Sequence, residues 1–348
     1  MNDTTLLGID IAKDVFQLHG VNEHGKTTLT KRLSRKKLKE FMVNLPSCTV
    51  VMECCGASHY WGRTFTEYSH TVKLIAPQHV KPYVMGNKND KNDAAAIIEA
   101  SRSVRARFVP VKNVEQQDMQ ALLRIRQGFI RERTRLSNQI RGLVTEYGVF
   151  IPKSFSALKK QLPAYLEDEA TELTQFMKDE ITSVLEAFHD ADARIRAYDK
   201  KTEKLAANHE MAQKLMTICG VGPKSAIAVL AMGDLSHLKN GRGFGAYIGL
   251  VPRQCSSGNT ARLQGISKRG NAYLRELLIH GARAAISRVK DKRDGKSLWL
   301  KALIERRGTN RAAVALANKH ARVIWHLLVH GEEYKPELLT SWKAIEAA

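Results

Sequence analysis

The first hundred residues alternate between short apolar segments and amphipathic stretches, and this alternation limits the possible folds more than any other feature of the chain. Short segments that are rich in β-branched residues, or that alternate apolar with polar residues, are typical of strands. Five segments have this character: Leu6–Ile11, Val15–Val21, Lys26–Leu33, Cys48–Met52 and Val72–Ala76. Helical stretches follow at Lys36–Asn44, Ser58–Tyr68 (with Ser58 as a candidate N-cap) and Asp90–Ala100. The order β-β-β-α-β-α-β-α is that of a ribonuclease-H-like α/β domain, in which helices flank a mixed sheet.

The rest of the chain is predicted to be mainly helical. Residues 113–148 and 165–207 each carry an apolar stripe, and Pro152 and Pro163 interrupt the chain between them. Two long helices around a proline-marked turn predict an antiparallel hairpin or coiled coil. Residues 211–330 follow as a second, glycine-punctuated globular unit. We therefore predict an N-terminal domain at 1–108, a helical connector at 109–210, a mainly α C-terminal domain at 211–331 and a tail at 332–348.

The net charge is strongly positive and unevenly distributed. The chain has 55 Lys and Arg residues against 35 Asp and Glu residues, a formal charge of +20. Residues 253–325 carry a net charge of +13 and residues 100–150 carry +6, whereas residues 165–210 carry −6. Such concentration of positive charge is typical of proteins that bind the phosphate backbone of nucleic acids. The alternative is that each run is only the solvated face of a helix.

Composition excludes several other classes of protein. Apolar residues make up 43% of the chain, too large a share for a disordered polymer. No apolar run approaches the ~20 residues that cross a bilayer, and no signal peptide is recognisable. The five cysteines are an odd number without a CxxC pair, which argues against a disulfide framework and a zinc site. We expect a soluble, cytoplasmic protein with no membrane partner.

Four acidic residues occur where the predicted elements bring carboxylates together. Asp10 lies in the first strand, on the face opposite its two isoleucine neighbours, and Glu53 follows the fourth strand. Asp90 and Asp93 are three residues apart at the start of a helix and share one face. An unpaired buried carboxylate is costly, and several hard oxygen ligands suit Mg²⁺ or Mn²⁺, so we predict a metal site for phosphoryl transfer. Alternatively, Asp90 and Asp93 only stabilise the N-terminus of their helix.

Residues 218–226, with the sequence ICGVGPKSA, show the pattern of a helix-hairpin-helix. Gly220 and Gly222 permit a tight turn that presents backbone N–H groups to a phosphate, and Lys224 would strengthen that contact. The alternative interpretation is an ordinary glycine-rich connection between two helices.

A polar segment after Pro252 contains a candidate nucleophile, Ser256 or Ser257. Arginine side chains stabilise phosphoryl oxygens, and a covalent phosphoserine conserves the bond energy that strand rejoining needs. In the alternative interpretation, these serines only form a turn. His280 lies on an apolar helical face and is interpreted as a core residue. The cations predicted to surround the serines are Arg253, Arg262, Lys268 and Arg269.

Several motifs, in this order along the chain, resemble those of the DEDD-type insertion-sequence transposases, which are bridge-RNA-guided recombinases. The motifs read GIDIAKD, VVMECCGA, NDKNDAAAI, ICGVGPKSA, YIGLVPRQCSSGN and ISKRGNAYLR. The resemblance covers nearly the whole chain. It implies a RuvC-like N-terminal domain, a helical coiled-coil connector, and a C-terminal transposase domain with a catalytic serine.

The resemblance also implies roles for individual residues and partners. Asp10, Glu53, Asp90 and Asp93 match the four metal-binding acids of the family, and Ser257 matches its nucleophile. A non-coding guide RNA would pair with double-stranded donor and target DNA. The chain would act as a homo-oligomer, a dimer or a tetramer, in which the RuvC-like domain meets the serine-bearing domain of another subunit.

Two other functions remain open at this point. A RuvC-like nuclease, such as a junction resolvase, would hydrolyse DNA with metal-activated water and would explain the acids but not the serine segment. A helix-hairpin-helix protein that only binds nucleic acid would need none of the four acids. A covalent protein–DNA adduct distinguishes a recombinase from both.

Overall fold

The computed structural model describes residues 3–84, 90–104, 106–257, 260 and 262–335. These residues form two compact units. The first unit extends to Gln117 and includes Met232–Leu235, and the second comprises Asp118–Ala231 and the residues from Ser236 onward.

The first unit is built on a six-stranded mixed sheet. The strands are β1 (Leu6–Ile11), β2 (Val15–Val21), β3 (Thr27–Ser34), β4 (Thr49–Glu53), β5 (Thr71–Ile75) and β6 (Phe108–Val109). Their order in the sheet is β3-β2-β1-β4-β5-β6. Strands β1, β2 and β3 are antiparallel, β1, β4 and β5 are parallel, and β6 is antiparallel to β5. The predicted mixed sheet is confirmed, although β6 has only two residues and was too short to predict.

Helices cover both faces of this sheet. They are α1 (Arg35–Asn44), α2 (Ser58–Glu67), α3 (Pro77–Val80), which the sequence did not predict, and α4 (Asp90–Arg102). Leu7 and Ile9 point into the larger core, which also contains Trp61 of α2. Val51 belongs to a separate core with Ile97 of α4. The two helical layers therefore lie on opposite faces, as alternation along a strand requires.

The expected cap at Ser58 is wrong. Ala57 occupies the N-cap position in a left-handed conformation, with φ of 68°. Ser58 is the first helical residue, and its hydroxyl donates to the carbonyl oxygen of Cys55 at 2.9 Å. The hydroxyl therefore stabilises the turn before the helix.

Three helices open the second unit: α5 (Val114–Thr145), α6 (Phe155–Glu167) and α7 (Gln175–Ala207). α5 and α7 are antiparallel, because Arg126 pairs with Asp199 and Arg133 pairs with Asp192. The expected interruption at Pro163 is wrong, since this proline lies inside α6, where Leu158 and Leu162 are buried. The second long helix therefore begins only at Gln175, capped by Thr174.

Shorter helices and one hairpin complete the second unit. The helices are α8 (Glu210–Met216), α9 (Pro223–Leu230), α10 (Gly241–Tyr247), α11 (Ala272–Ile286), α12 (Gly295–Arg307) and α13 (Thr309–His330). Strands β7 (Pro252–Gln254) and β8 (Leu263–Ile266) pair antiparallel. Across the described ranges, no helix is long and apolar enough to cross a membrane.

The interpretation of His280 as a core residue is wrong. Its side chain is 62% exposed, because the buried stripe of α11 follows Leu274, Leu278 and Ala282 on another side of the helix. The buried histidine of this region is His320 on α13.

Candidate functional site

Asp10 and Glu53 occupy equivalent positions on two neighbouring parallel strands. The β1–β4 register pairs Leu6 with Thr49 and ends at Ile9 with Met52, so Asp10 and Glu53 come next in line. Neighbouring strands lie about 4.8 Å apart, which places the two acidic residues side by side at the carboxyl ends of the strands. Both are partly buried.

The two acidic side chains point to the same face of the sheet. Gly8 faces α4, because a Cβ at this position would meet atoms of Ala94 and Ile98, and Asp10 follows it by two residues. Val51 belongs to the core that contains α4 residues, and Glu53 follows it by two residues. Since alternate residues of a strand share a face, Asp10 and Glu53 both point towards the layer of α4.

Helix α4, which lies in this layer, contains Asp93. Asp93 immediately precedes Ala94, whose carbonyl oxygen would lie 2.6 Å from a Cβ at Gly8. The absence of a side chain at Gly8 therefore lets the N-terminal part of α4 cross β1 two residues from Asp10. The helix begins at Asp90, whose side chain lies outside the described residues.

The pKa of the Cys55 thiol is raised by its surroundings at this end of the sheet. Desolvation of the thiol is the main cause that raises the pKa of Cys55 to about 11, although the residue as a whole is exposed. The charges of Glu53 and Asp10 raise this pKa further.

The donor set fits a hard divalent cation. Carboxylate oxygens on adjacent strand ends are the ligands that Mg²⁺ and Mn²⁺ prefer. Among the described side chains, no three His, Cys, Asp or Glu groups come together closely enough to hold a metal. Asp10 and Glu53 therefore form the described part of the candidate site, with Asp93 on the adjoining helix.

The candidate nucleophile lies at the exposed tip of the β7–β8 hairpin. The polar segment predicted around Ser257 is thus an extended hairpin, in which Ser257 forms a bridge with Thr260. The backbone N–H of Thr260 donates to the carbonyl oxygen of Ser257 at 3.2 Å, and that of Cys255 donates to Arg262 at 2.9 Å. Residues 258, 259 and 261, which include Gly258, lie outside the described residues.

The hairpin register separates the two serines. Cys255 and Ser257 alternate along one arm, and Arg262 lies opposite Cys255 on the other arm, so Arg262 shares a face with Ser257. The register shifts between Pro252 and Gln254, so this alternation does not extend to Arg253. Ser256 points to the opposite face, where its hydroxyl accepts a hydrogen bond from Gln254 at 2.9 Å.

Lys268 and Arg269 lie at the other end of the hairpin. The backbone N–H of Lys268 donates to Gly249, and that of the preceding residue donates to Val251, so both cations follow the base of the hairpin. The tip is about six residues further along, or roughly 20 Å at 3.3 Å per residue. The expectation that Lys268 and Arg269 surround the serine is therefore wrong, whereas for Arg253 and Arg262 it stays a prediction.

The two predicted glycines lie in the turn between α8 and α9. Gly220 has φ of 97°, and a Cβ there would approach the carbonyl oxygen of Gly281 on α11 to 2.6 Å. Gly222 is the N-cap of α9. The turn geometry therefore supports close packing of α9 against α11.

Lys224 forms an internal ion pair. Its Nζ atom lies 2.8 Å from Oδ1 of Asp199, which also accepts a hydrogen bond from Arg126 at 2.6 Å. Burial acts to raise the pKa of Asp199, but the hydrogen bonds from Arg126 and Lys224 outweigh it and lower this pKa. Lys224 thus joins α9 to α7, a role that sequence reasoning missed because its partner is 25 residues away.

Comparisons with known proteins assign the chain to a class of enzyme. A model of the IS110-type DEDD transposases matches residues 7–149, and a model described as "Transposase IS116/IS110/IS902 family" matches residues 212–297. The chain is 49% identical over 336 residues to the transposase for insertion sequence element IS1111A of Coxiella burnetii, covering 96% of this chain and 92% of that protein.

Two further relatives agree. A probable family 20 transposase of Pseudomonas aeruginosa is 44% identical over 339 residues, with 95% of this chain and 98% of that protein covered. The transposase for insertion sequence element IS1328 of Yersinia enterocolitica is 36% identical over 332 residues, with 95% and 98% covered.

The sheet with its acidic strand ends, and the relatives that extend over almost the whole chain, define an enzyme of the transposase class. The chain belongs to the IS110 family of insertion-sequence transposases. The DEDD type of this family suggests a divalent metal, which Asp10 and Glu53 fit by position and chemistry.

Proposed function

We propose that this transposase cuts and rejoins DNA strands through a phosphoserine intermediate at Ser257. The observation that supports this proposal is the hairpin register, in which the exposed Ser257 shares a face with Arg262. A guanidinium group beside a hydroxyl can hold the non-bridging oxygens of a phosphodiester and stabilise the charge that develops on them.

The proposed step is a transesterification. The hydroxyl oxygen of Ser257 forms a bond to the scissile phosphorus and loses its proton, while the bond between phosphorus and the leaving strand's oxygen breaks and that oxygen gains a proton. The hydroxyl of another strand then attacks the same phosphorus, and the serine hydroxyl is restored. Because the number of phosphodiester bonds is unchanged, no external energy source is needed.

We propose Asp10, Glu53, Asp90 and Asp93 as the ligands of Mg²⁺ or Mn²⁺ in a RuvC-like, ribonuclease-H-like domain. A bound divalent ion would neutralise charge on the phosphate and orient it. Asp10 and Glu53 would hold the ion at the ends of β1 and β4. Gly8 supports the site by allowing α4 to approach the strand.

The proposed nucleic-acid partners are double-stranded donor and target DNA and a non-coding guide RNA. The positive charge of residues 253–325 and 100–150 supports extensive backbone contacts, including those of Lys268 and Arg269 at the base of the hairpin. We also propose that the turn before α9 contacts phosphate through Gly220, Gly222 and Lys224. The structure gives this region an internal structural role as well. The α5–α7 pair is our candidate for coiled-coil assembly into a dimer or tetramer.

Trapping the covalent intermediate tests the proposed reaction. We expect a nicked element end, which loses its leaving strand after cleavage, to accumulate as a protein–DNA adduct whose attached peptide contains Ser257. The reaction is carried out with the full chain and RNA transcribed from the element's own flanks. Cleaved ends without any adduct would favour the hydrolytic RuvC-like nuclease, and binding without cleavage by the intact chain would favour a helix-hairpin-helix binding protein.

A further inference from the structure

A cavity of about 990 Å³ lies in the second unit between the start of α10 and the C-terminal half of α13. Gly241 makes the two helices approach closely, because a Cβ there would lie 2.8 Å from both the Cα and the carbonyl oxygen of Arg322. Helix α10 therefore begins against the backbone of α13, and Arg242 and Arg322 line the same cavity. Residues 331–335 form a further wall.

Four lysine and arginine residues line this cavity: Arg242, Lys319, Arg322 and Lys335. Burial is the main cause that lowers the pKa of Lys319 to about 8, and the charge of Arg322 lowers it further. The Nζ atom of Lys319 also lies 4.4 Å from the centroid of the Trp299 ring. An anion in the cavity would relieve the repulsion between the two cations on α13.

Two carboxylates, those of Glu332 and Glu333, also line the cavity. Glu332 lies 3.1 Å from the imidazole of His326. Glu210 is the main cause that raises the pKa of Lys214, and Glu333 adds to the same shift. Within the described part of the chain, neither acid forms an ion pair with Arg242 or Arg322. Four lysine and arginine residues thus outnumber the two carboxylates in the cavity lining.

The cavity is larger than a phosphate group and has an apolar side. Its volume is at the upper end of the ~300–1,000 Å³ that small-ligand sites occupy. Trp325 and Leu327 lie in its wall and are largely buried, and the half-buried Tyr334 contributes an aromatic ring. Aromatic and apolar side chains next to guanidinium groups are the usual surroundings of an unstacked base.

We propose that this cavity binds one unpaired nucleotide of a single-stranded nucleic acid. Its phosphate would lie against Arg242, Lys319 and Arg322, and its base against Tyr334 and the wall formed by Trp325. The inference rests on the proposed nucleic-acid function and extends it, because it assigns a place for a nucleotide that is not base-paired. A loop of RNA and a displaced DNA strand offer the same chemistry, and the experiment separates them.

Fluorescence anisotropy with the full-length protein tests this site. The probes are a labelled octamer of uridylate, an octamer of thymidylate and a 16-base-pair duplex. The double variant Arg242→Gln/Arg322→Gln should bind the single-stranded probes about tenfold more weakly, with less than about threefold change for the duplex. The control Lys36→Gln/Lys37→Gln removes the same charge from exposed positions on α1, outside both positive regions, and should change all three affinities by less than about threefold.

A second variant keeps the test independent of charge. Tyr334 lies near the end of the described chain. Tyr334→Ala should weaken binding of the single-stranded probes at least about fivefold, because the base would lose the ring on which it stacks. A loss of affinity confined to the RNA octamer or to the DNA octamer supports the site and shows which nucleic acid supplies the nucleotide. Equal losses in the cavity and control pairs, or a duplex affected as strongly as the octamers, would overturn it. If the parent chain binds none of the probes and does not recombine DNA, the proposed function fails as well.

Discussion

Gly8 on β1 lies so close to α4 that a Cβ at this position would approach the carbonyl oxygen of Ala94 to 2.6 Å. The contact is with backbone, which cannot rotate away as a side chain can. We predict that Gly8→Ala displaces α4 from the strand that carries Asp10 and destabilises the fold by about 1–3 kcal/mol. Transposition should fall more strongly than stability, because Asp93 would move with the helix.

Gly56→Ala is the matched control for this substitution. Gly56 follows Glu53 by three residues and is exposed, and a Cβ there would meet no atom of the described residues within 4 Å. Chemical denaturation and an excision assay on both variants provide the comparison. If Gly8→Ala were as stable and active as Gly56→Ala, the close approach of α4 would not be what builds the site.

Neutralising either strand-end carboxylate should abolish recombination without unfolding the protein. Asp10→Asn and Glu53→Gln keep the size of the side chain but replace a charged oxygen ligand with a weak one. Thermal unfolding with and without Mg²⁺ should show stabilisation of the parent by the metal and less stabilisation of either variant. Full recombination by both variants would contradict the metal-site assignment.

Asp192 should be the most important single charge in the α5–α7 pair. Its carboxylate accepts hydrogen bonds from Arg133 and Lys159, both at 2.6 Å, and its side chain is 10% exposed. We expect Asp192→Asn to cost about 2–4 kcal/mol, because it leaves these cations without their partner. The control Asp190→Asn, two residues away in an exposed pair with Arg194, should cost less than about 0.5 kcal/mol.

The same carboxylate predicts an acid dependence. Burial acts to raise the pKa of Asp192, but hydrogen bonds from Lys159 and Arg133 outweigh it and lower the pKa to about 2. A carboxyl whose folded pKa is depressed stabilises the protein above its ordinary pKa, and this contribution is lost as the pH falls from 3.8 towards 2. In that pH range, the free energy of unfolding, measured by denaturation, should fall less steeply for Asp192→Asn than for the parent.

His320 should make the C-terminal helices sensitive to milder acid. It is 3% exposed, and neither ring nitrogen has a hydrogen-bond partner among the described residues. Burial, helped by the charge of Lys296, lowers the pKa of His320 to about 3. The folded protein requires the neutral ring. Below about pH 6.5 the unfolded chain takes up a proton at His320, which lowers the free energy of unfolding by about 2 kcal/mol between pH 7.5 and 5.

Two histidine variants test this expectation. His320→Leu should remove the loss of stability between pH 7.5 and 5, measured by urea denaturation at both values. His280→Leu changes an exposed histidine on α11 and should keep the loss. An equal pH dependence in the parent and in His320→Leu would show that another group causes it.

The strands of the first unit were predictable because their residues alternate in a way that matches burial. Leu7 and Ile9 belong to one core while Asp10 faces the other layer, and this alternation is visible in the sequence as a pattern of period two. The neighbouring position of Glu53 also follows from the strand order alone. The proximity of α4 does not, because it depends on a contact between Gly8 and Ala94, which are far apart in sequence.

The β7–β8 hairpin could not be predicted from periodicity for a different reason. Pro252, Arg253 and Gln254 are all exposed, so neither face of the strand carries an apolar pattern. The ion pair between Lys224 and Asp199 is likewise invisible in sequence, since it joins residues on separate helices. Exposed hairpins and long-range polar pairs are set by tertiary contacts, which leave no local signal.

The last prediction separates the two serines at the hairpin. Ser257 shares a face with Arg262, whereas the hydroxyl of Ser256 accepts a hydrogen bond from Gln254 on the other face. A serine hydroxyl is a weak nucleophile without activation, so the cationic face is the one on which attack on phosphorus is favourable. Ser257→Ala should therefore abolish cleavage and leave DNA and RNA affinities unchanged, while Ser256→Ala should retain activity. An excision assay together with a mobility-shift assay on both variants checks this, and an active Ser257→Ala or an adduct mapped to Ser256 would overturn the assignment.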